Sequence, residues 1–348
     1  MKKKNNLEIF VLTLVMFATI IPVAVAMNEN IKYIEQTQQT GNTLYVGGNG
    51  PGNYSSIQSA IDNATDGYTI YVYDDSSPYY ETIDISKSIK LVGENKETTI
   101  IDGERQDKVI FIGRNTENVK ITGFTIRNSS LNGISSGVIL YFNPTYINIS
   151  DNIIINNKYG ILFFAAYHSS PVNRSTGITS LYDCVVSNNK ISNNYVGVEL
   201  DYAYNNVIFN NTISDNSYCG FYLYNSGSNS FYLNNMINNS NNVLVNYLPW
   251  YKSVNLWYNP LSKKGNYWDD YEGSDNLPPY GIGDTPYIIP PYLYRNNDNY
   301  PLMKPYNGSF ASIQSNQQSQ FNQQIQNDPQ QLQSTAYMET IQNSQTNN

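Results

Sequence analysis

Apolar and polar positions in this chain repeat one short phrase: Asn-x-Ile, a polar turn, a small residue, then alternating apolar side chains. Asn152-Ile153-Ile154, Asn189-Lys190-Ile191, Asn211-Thr212-Ile213 and Asn235-Met236-Ile237 open four copies. The turns close at Gly160, Gly197, Gly220 and Asn242, after an earlier copy that closes at Gly137, at intervals of 23, 37, 23 and 22 residues. A fixed period of this length marks one structural unit stacked on itself. Inside each unit the apolar residues alternate over short runs, the period of a strand and not of a helix. Such a unit fits one coil of a parallel β-helix, advancing about 4.8 Å per coil, so eight or nine coils span roughly 40 Å.

Aligning the copies predicts columns of side chains. Val138, Ile161, Val198, Phe221 and Val243 form one inward column, and Leu140, Phe163, Leu200, Leu223 and Val245 a second. Ile154, Ile191, Ile213 and Ile237 form a third. Asn152, Asn189, Asn211 and Asn235 stack at a corner, where an amide side chain tolerates a left-handed backbone and bonds to its neighbours along the stack. The glycines are expected to supply positive φ. Upstream, Leu44-Tyr45-Val46 reads as a first strand. Ile57, Ala60, Ile61 and Ala64 then recur at helical spacing behind a capping Ser55 or Ser56. A short amphipathic helix there would cover the open end of a stack.

The predicted fold is all-β: a single-stranded right-handed parallel β-helix over 43–247, with a short N-terminal capping helix. Residues 1–26 read as a signal peptide: Lys2-Lys3-Lys4, an apolar run from Ile9, and the small-x-small ending Ala24-Val25-Ala26. Residues 27–42 are a polar lead-in, 248–306 an irregular cap rich in Trp, Tyr and Pro, and 307–348 a Gln/Asn-rich tail expected to be disordered. No later segment approaches the ~18 apolar residues of a membrane span. The expected location is secreted or cell-surface.

Removing the signal takes away Lys2, Lys3, Lys4 and Glu8 and leaves 17 basic against 27 acidic residues. That balance excludes a nucleic-acid reader, which needs clustered cations. A surface rich in Asn, Ser and Tyr suits an uncharged glycan, and a polysaccharide or surface glycan is the expected partner. Cys184 and Cys219 fall at different points of successive copies and read as buried free thiols.

The segment SIQSAIDNATDGYTIYVYDDSSPYYETIDISKSIKLVGENKETTIIDG resembles the opening of pectin-lyase-like right-handed β-helix proteins. The closing texts GNYWDDYEGSD, YGIGDTPY and NDNYPLM resemble the NosD-type group, named after the periplasmic copper-binding protein of nitrous-oxide reductase maturation and found in archaeal surface proteins. The resemblance covers about residues 43–306 and implies the fold more than an activity. Relatives often carry an Asp-rich, calcium-loop-like stretch where this chain has Leu277-Pro278-Pro279-Tyr280, which leaves Asp269, Asp270, Asp275 and Asp284 as candidate calcium ligands. Copper, which the resemblance implies, prefers Cys, Met and His. The mature chain has one histidine, His168, and its methionines are scattered, so the ligand set for copper is poor.

The interval between the Asn152 and Asn189 copies is swollen, and its surplus carries Tyr167, His168 and Arg174. Insertions in a solenoid project from one face, often the binding face. The next strand, Val198-Glu199-Leu200-Asp201-Tyr202, turns Glu199 and Asp201 outward. Leu162, Glu199, Tyr222 and Leu244 share one outward column, and Tyr141, Phe164, Asp201, Tyr224 and Asn246 share the next. Three readings follow. In the first, Tyr141, Phe164, Tyr222 and Tyr224, with His168 and Arg174, bind a glycan on a non-catalytic structural or adhesive rod. In the second, Glu199 and Asp201 are the catalytic carboxyls of a polysaccharide hydrolase or lyase, since two residues along a strand separate Cα atoms by about 6.5–7 Å. In the third, the chain is a copper-handling accessory protein. The clustered Asp-Asp and Gly-His-Gly of a polygalacturonase are absent from the coils.

Overall fold

Strands of two to six residues cannot bury a face alone, and here each one in the coils is paired with the matching strand of a neighbouring coil. The computed structural model describes residues 42–165, 181, 183–246, 254–290 and 296–308. The expected signal peptide, most of the insertion and most of the tail lie outside them. Met1–Tyr306 forms one unit and Asn307–Asn348 another, and the coils belong to the first. Three parallel sheets of eight, seven and eight strands wind through about eight coils. The first sheet runs from Thr43–Val46 to Ser230–Tyr232, the second from Ile83–Ile85 to Val243–Asn246, and the third from Tyr79–Tyr80 to Tyr267–Trp268.

The two predicted inward columns of the second sheet are in register as aligned, Val138 to Val243 and Leu140 to Val245. All but Val245 are buried. The third column is corrected at its last member. Ile154, Ile191 and Ile213 stack and are fully buried, but Met236 follows them, and Ile237 pairs with Ser214 on the outer side. The fourth copy therefore opens on Asn234, one residue earlier than its Asn-x-Ile text suggests. A slip of one residue exchanges the two faces of a strand, which is why Ile237 is not core.

Asparagines line all three corners. At the first, the backbone amides of Asn152, Asn189, Asn211 and Asn234 each donate to Oδ1 of the next member, Asn189, Asn211, Asn234 and Asn266, at 2.9–3.1 Å. Each Nδ2 bonds the same Oδ1 and also a main-chain carbonyl of the preceding coil; for Asn211 these are Asn234 Oδ1 and the Val186 carbonyl. Asn157, Asn194, Asn216 and Asn239 repeat the arrangement at a second corner, and Asn206, Asn229, Asn255 and Asn296 at a third. The ladder asparagine is not itself the left-handed residue. That conformation falls on the residue before it: Asp151, Asn188, Asn210 and Leu233 have φ of 53–58°. The first ladder ends on a different group, the buried Asp298 carboxylate, which accepts from the Asn266 amide at 2.6 Å and from Trp268 Nε1 at 2.9 Å.

The marker glycines also have a different role from the one expected. None of Gly137, Gly160, Gly197 and Gly220 has positive φ. They are small because the next coil passes directly over them. A Cβ on Gly160 would stand 2.5 Å from the Gly197 carbonyl oxygen and 2.8 Å from Ile191 Cγ2.

A seven-residue helix, Ile57–Asn63, packs Ile57, Ala60 and Ile61 against the first coils, and Ser56 Oγ accepts from the Ser59 amide. Glu81 accepts from the Ile57 and Gln58 amides, while Lys87 Nζ donates to the Ile61, Asp62 and Ala64 carbonyls. An acid at the N-terminus and a base at the C-terminus complement the helix dipole. At the other end, Trp257 stacks on Phe231 at 4.3 Å and Trp268 stacks on Tyr287 at 4.3 Å, and both tryptophans are buried. Cys184 and Cys219 are buried and not joined in a disulfide.

Asn211→Ala leaves the Asn189 amide and the Val186 and Phe209 carbonyls without their side-chain partner. Each orphaned buried group costs about 1–3 kcal/mol, so the expected loss exceeds about 3 kcal/mol, read from guanidinium unfolding. Gly160→Ala is expected to cost about 1–3 kcal/mol by overpacking, read as a lower thermal midpoint.

Candidate functional site

The outward face of the second sheet carries the chemistry. Its strands Ser136–Tyr141, Tyr159–Phe164, Val196–Asp201 and Cys219–Tyr224 are six residues long, twice the usual length elsewhere in the coils. Register places Leu162, Glu199, Tyr222 and Leu244 in one outward column and Tyr141, Phe164, Asp201, Tyr224 and Asn246 in the next, as aligned from the sequence. Tyr141 and Phe164 stack at 5.7 Å with 17° between ring planes, and Tyr224 meets Tyr202 edge-on at 5.6 Å. His168 and Arg174 lie outside the described residues.

Sequence alignment missed a second group of residues. Tyr195 and Tyr218, at the turn leading into these strands, stack at 4.9 Å with only 6° between planes. They are 45% and 38% exposed, so the stack presents its rings to solvent. Tyr218 reaches Tyr222 at 6.3 Å, which joins the stack to the Glu199 column. Tyr195 and Tyr218 are 23 residues apart, the repeat period itself, and that spacing was the available signal. Lys158, one coil earlier at the same turn, donates to the Gly133 carbonyl at 2.6 Å and lies 5.3 Å from the Tyr159 ring.

Glu199 and Asp201 are half-buried among these rings. Burial, then the charge of Asp201, pushes Glu199 up to about 7, with Lys158 opposing. Burial alone pushes Asp201 up to about 7. Oδ1 of Asp201 is sealed from solvent and has no hydrogen-bond partner. The field of Glu199 reaches its surroundings: burial and then Glu199 push Tyr159 up to about 12 and raise the buried Cys219 thiol. Other buried acids in this chain are treated differently. Asp102 accepts from Arg127 Nε, Asn128 Nδ2 and the Glu104 amide, and Asp298 from Asn266, Trp268 and Tyr300.

The four aspartates proposed for calcium do not converge. Asp269 and Asp270 both accept from Asn242 Nδ2, and Asp270 also accepts from the Tyr287 hydroxyl. Asp284 accepts from the Asn276 and Leu277 amides, and Asp275 from the Gly281 amide. They tie down the segment after the coils. Among the described residues, no three His, Cys, Asp or Glu side chains gather as metal ligands.

Three parallel sheets stacked coil on coil define a right-handed parallel β-helix. Residues 35–273 match the family described as periplasmic copper-binding protein (NosD), and the chain belongs to that family. Among solved structures it is similar to Escherichia coli YbhC, at 13% identity and a TM-score of 0.43 over 66% of this chain and 75% of that one. It is also similar to pectin methylesterase from carrot, at 15% identity and a TM-score of 0.41 over 68% of this chain and 80% of that one. A mutant of the periplasmic alginate epimerase AlgG matches at 14% identity and a TM-score of 0.36 over 63% of this chain and 49% of that one. A comparison with curated proteins gave no match. The copper in the family's description finds no fitting donor set among the described residues: Cys184 and Cys219 are buried in different sheet layers, and no cluster forms.

The carboxyl pair has a consequence for stability. Both groups hold a proton more tightly in the folded chain than in the unfolded one, where they titrate near 4.5 and 3.8. Their contribution is therefore full below about pH 4 and is lost as pH rises through about 7. Asp298, raised to about 6, acts in the same direction. Denaturation midpoints are expected to fall between pH 5 and pH 8. The Glu199→Gln/Asp201→Asn double variant is expected to flatten the upper part of that fall and leave the part due to Asp298.

Proposed function

We propose that this protein is an exported, non-catalytic β-helix of the NosD family that binds a glycan along the outward face of its second sheet. One observation carries the reading: the exposed, parallel Tyr195–Tyr218 stack runs through Tyr222 to the Glu199–Asp201 pair, where Asp201 Oδ1 has no hydrogen-bond partner among the described residues. Sugar rings lie flat on aromatic faces, and sugar hydroxyls donate to carboxylates, so a glycan satisfies both halves of the site. The family's periplasmic description supports export, as does the N-terminal sequence. A rigid ladder of coils holds the aromatic rings at fixed spacing, which suits an extended polymer.

Hydrolysis is the weaker reading. Acid and base roles need two groups whose environments drive their proton affinities apart. Here both carboxyls move the same way, to about 7. A glycan array is expected to give positive spots with the full chain. Tyr218→Ala and Tyr222→Ala are each expected to weaken the strongest hit by about tenfold or more, on the scale of about 1–3 kcal/mol seen for stacking on an aromatic side chain. The same polymers are expected to release no reducing ends. Release that disappears in Glu199→Gln would replace this reading with the enzymatic one.

A further inference from the structure

We infer that the glycan taken by this face carries a protonated amine, held between Glu199 and Asp201 while its sugar rings lie on the Tyr195–Tyr218–Tyr222 surface. The inference rests on the glycan-binding reading and narrows it to amino-sugar polymers. Two carboxyl groups stand side by side on one strand, and Oδ1 of Asp201 is cut off from water with no hydrogen-bond partner among the described residues. A buried acceptor in that condition is unfavourable until a donor arrives. Two more deeply buried acids have donors of the chain's own: Arg127 and Asn128 serve Asp102, and Trp268 and Asn266 serve Asp298.

Lys158, the described cation whose charge acts on Glu199, does not fill the gap. Lys158 spends its ammonium on the Gly133 carbonyl and on the Tyr159 ring. Asp201 lies between Phe164 and Tyr224 on the adjacent strands, and Glu199 lies between Leu162 and Tyr222. Carboxylates flanked by aromatic faces are the chemistry that selects an ammonium group, through charge on one side and the ring quadrupoles on the other. A neutral sugar would supply hydroxyl donors but no compensating charge. A uronate would bring a third negative charge into the same partly desolvated site, which is disfavoured.

Titration calorimetry of the full chain near neutral pH tests this with four sugars, a glucosamine hexamer, its fully N-acetylated counterpart, cellohexaose and oligogalacturonate, and with spermidine as a sugar-free amine. The glucosamine hexamer is expected to bind at least tenfold more tightly than the N-acetylated form, with oligogalacturonate weakest. The Glu199→Gln/Asp201→Asn variant, checked for unchanged circular dichroism, is expected to lose that preference, so that the two hexamers bind alike. Tyr218→Ala is expected to weaken every sugar together. Equal or tighter binding of the acetylated or neutral hexamer overturns the amine inference and leaves the glycan reading in place. An undiminished preference in the double variant also overturns it, as does spermidine binding as tightly as the glucosamine hexamer. No binding by any of the four sugars sinks the glycan reading itself.

Discussion

Each coil must carry its backbone around three tight bends whose amides and carbonyls are out of reach of water, and stacked asparagines meet that demand. One carboxamide receives the backbone amide of the coil before it and returns its own N–H groups to main-chain carbonyls, as Asn211 does toward Asn189, Val186 and Phe209. Nearly every lone pair and proton is used, so the bends can be dry without cost from orphaned groups. The apolar columns supply the cohesion along the axis, but they tolerate sliding. The amide ladders do not, because each member fits only the one above it. Register on the outer face, and with it the placement of Glu199 beside Tyr222, follows from the bends.

Most of the architecture was readable in the chain because period and burial coincide there. The columns through Val198 and Leu200 came directly from the 22- to 23-residue spacing and hold in register. Three details were not readable, each for a physical reason. Asn234 and Asn235 are adjacent amides, and only the hydrogen bond to Asn266 distinguishes the ladder member, so the core residue was placed at Ile237 where Met236 stands. A glycine can be kept for backbone geometry or for space, and letters alone do not separate the two. At Gly160 and its equivalents it is space, set by a carbonyl from another coil. Tyr195 and Tyr218 sit in turns, where no alternation draws attention to them, although they keep the repeat spacing.

The candidate site was legible as a pair of outward carboxyls beside aromatic rings, and the structure keeps that geometry. Its electrostatic character was not legible. Alternation places Glu199 and Asp201 on a face but says nothing of how far neighbouring rings exclude water or whether a donor is within reach. Those depend on side chains from several coils. The contrast inside one molecule is informative: Asp102 and Asp298 are buried and amply bonded, while Asp201 is partly buried and its Oδ1 has no partner among the described residues.

The first ladder closes on the Asp298 carboxylate instead of another amide. A carboxylate can accept from the coil before it but has no N–H to pass onward, so the series has a chemical terminus. Gene duplication could add whole repeats anywhere upstream without disturbing that terminus, because each new asparagine would find the same neighbours on both sides. Elongation past Asp298 would meet an acceptor facing an acceptor. The protein's reach is thus free to evolve in steps of one winding from within, while its end is fixed.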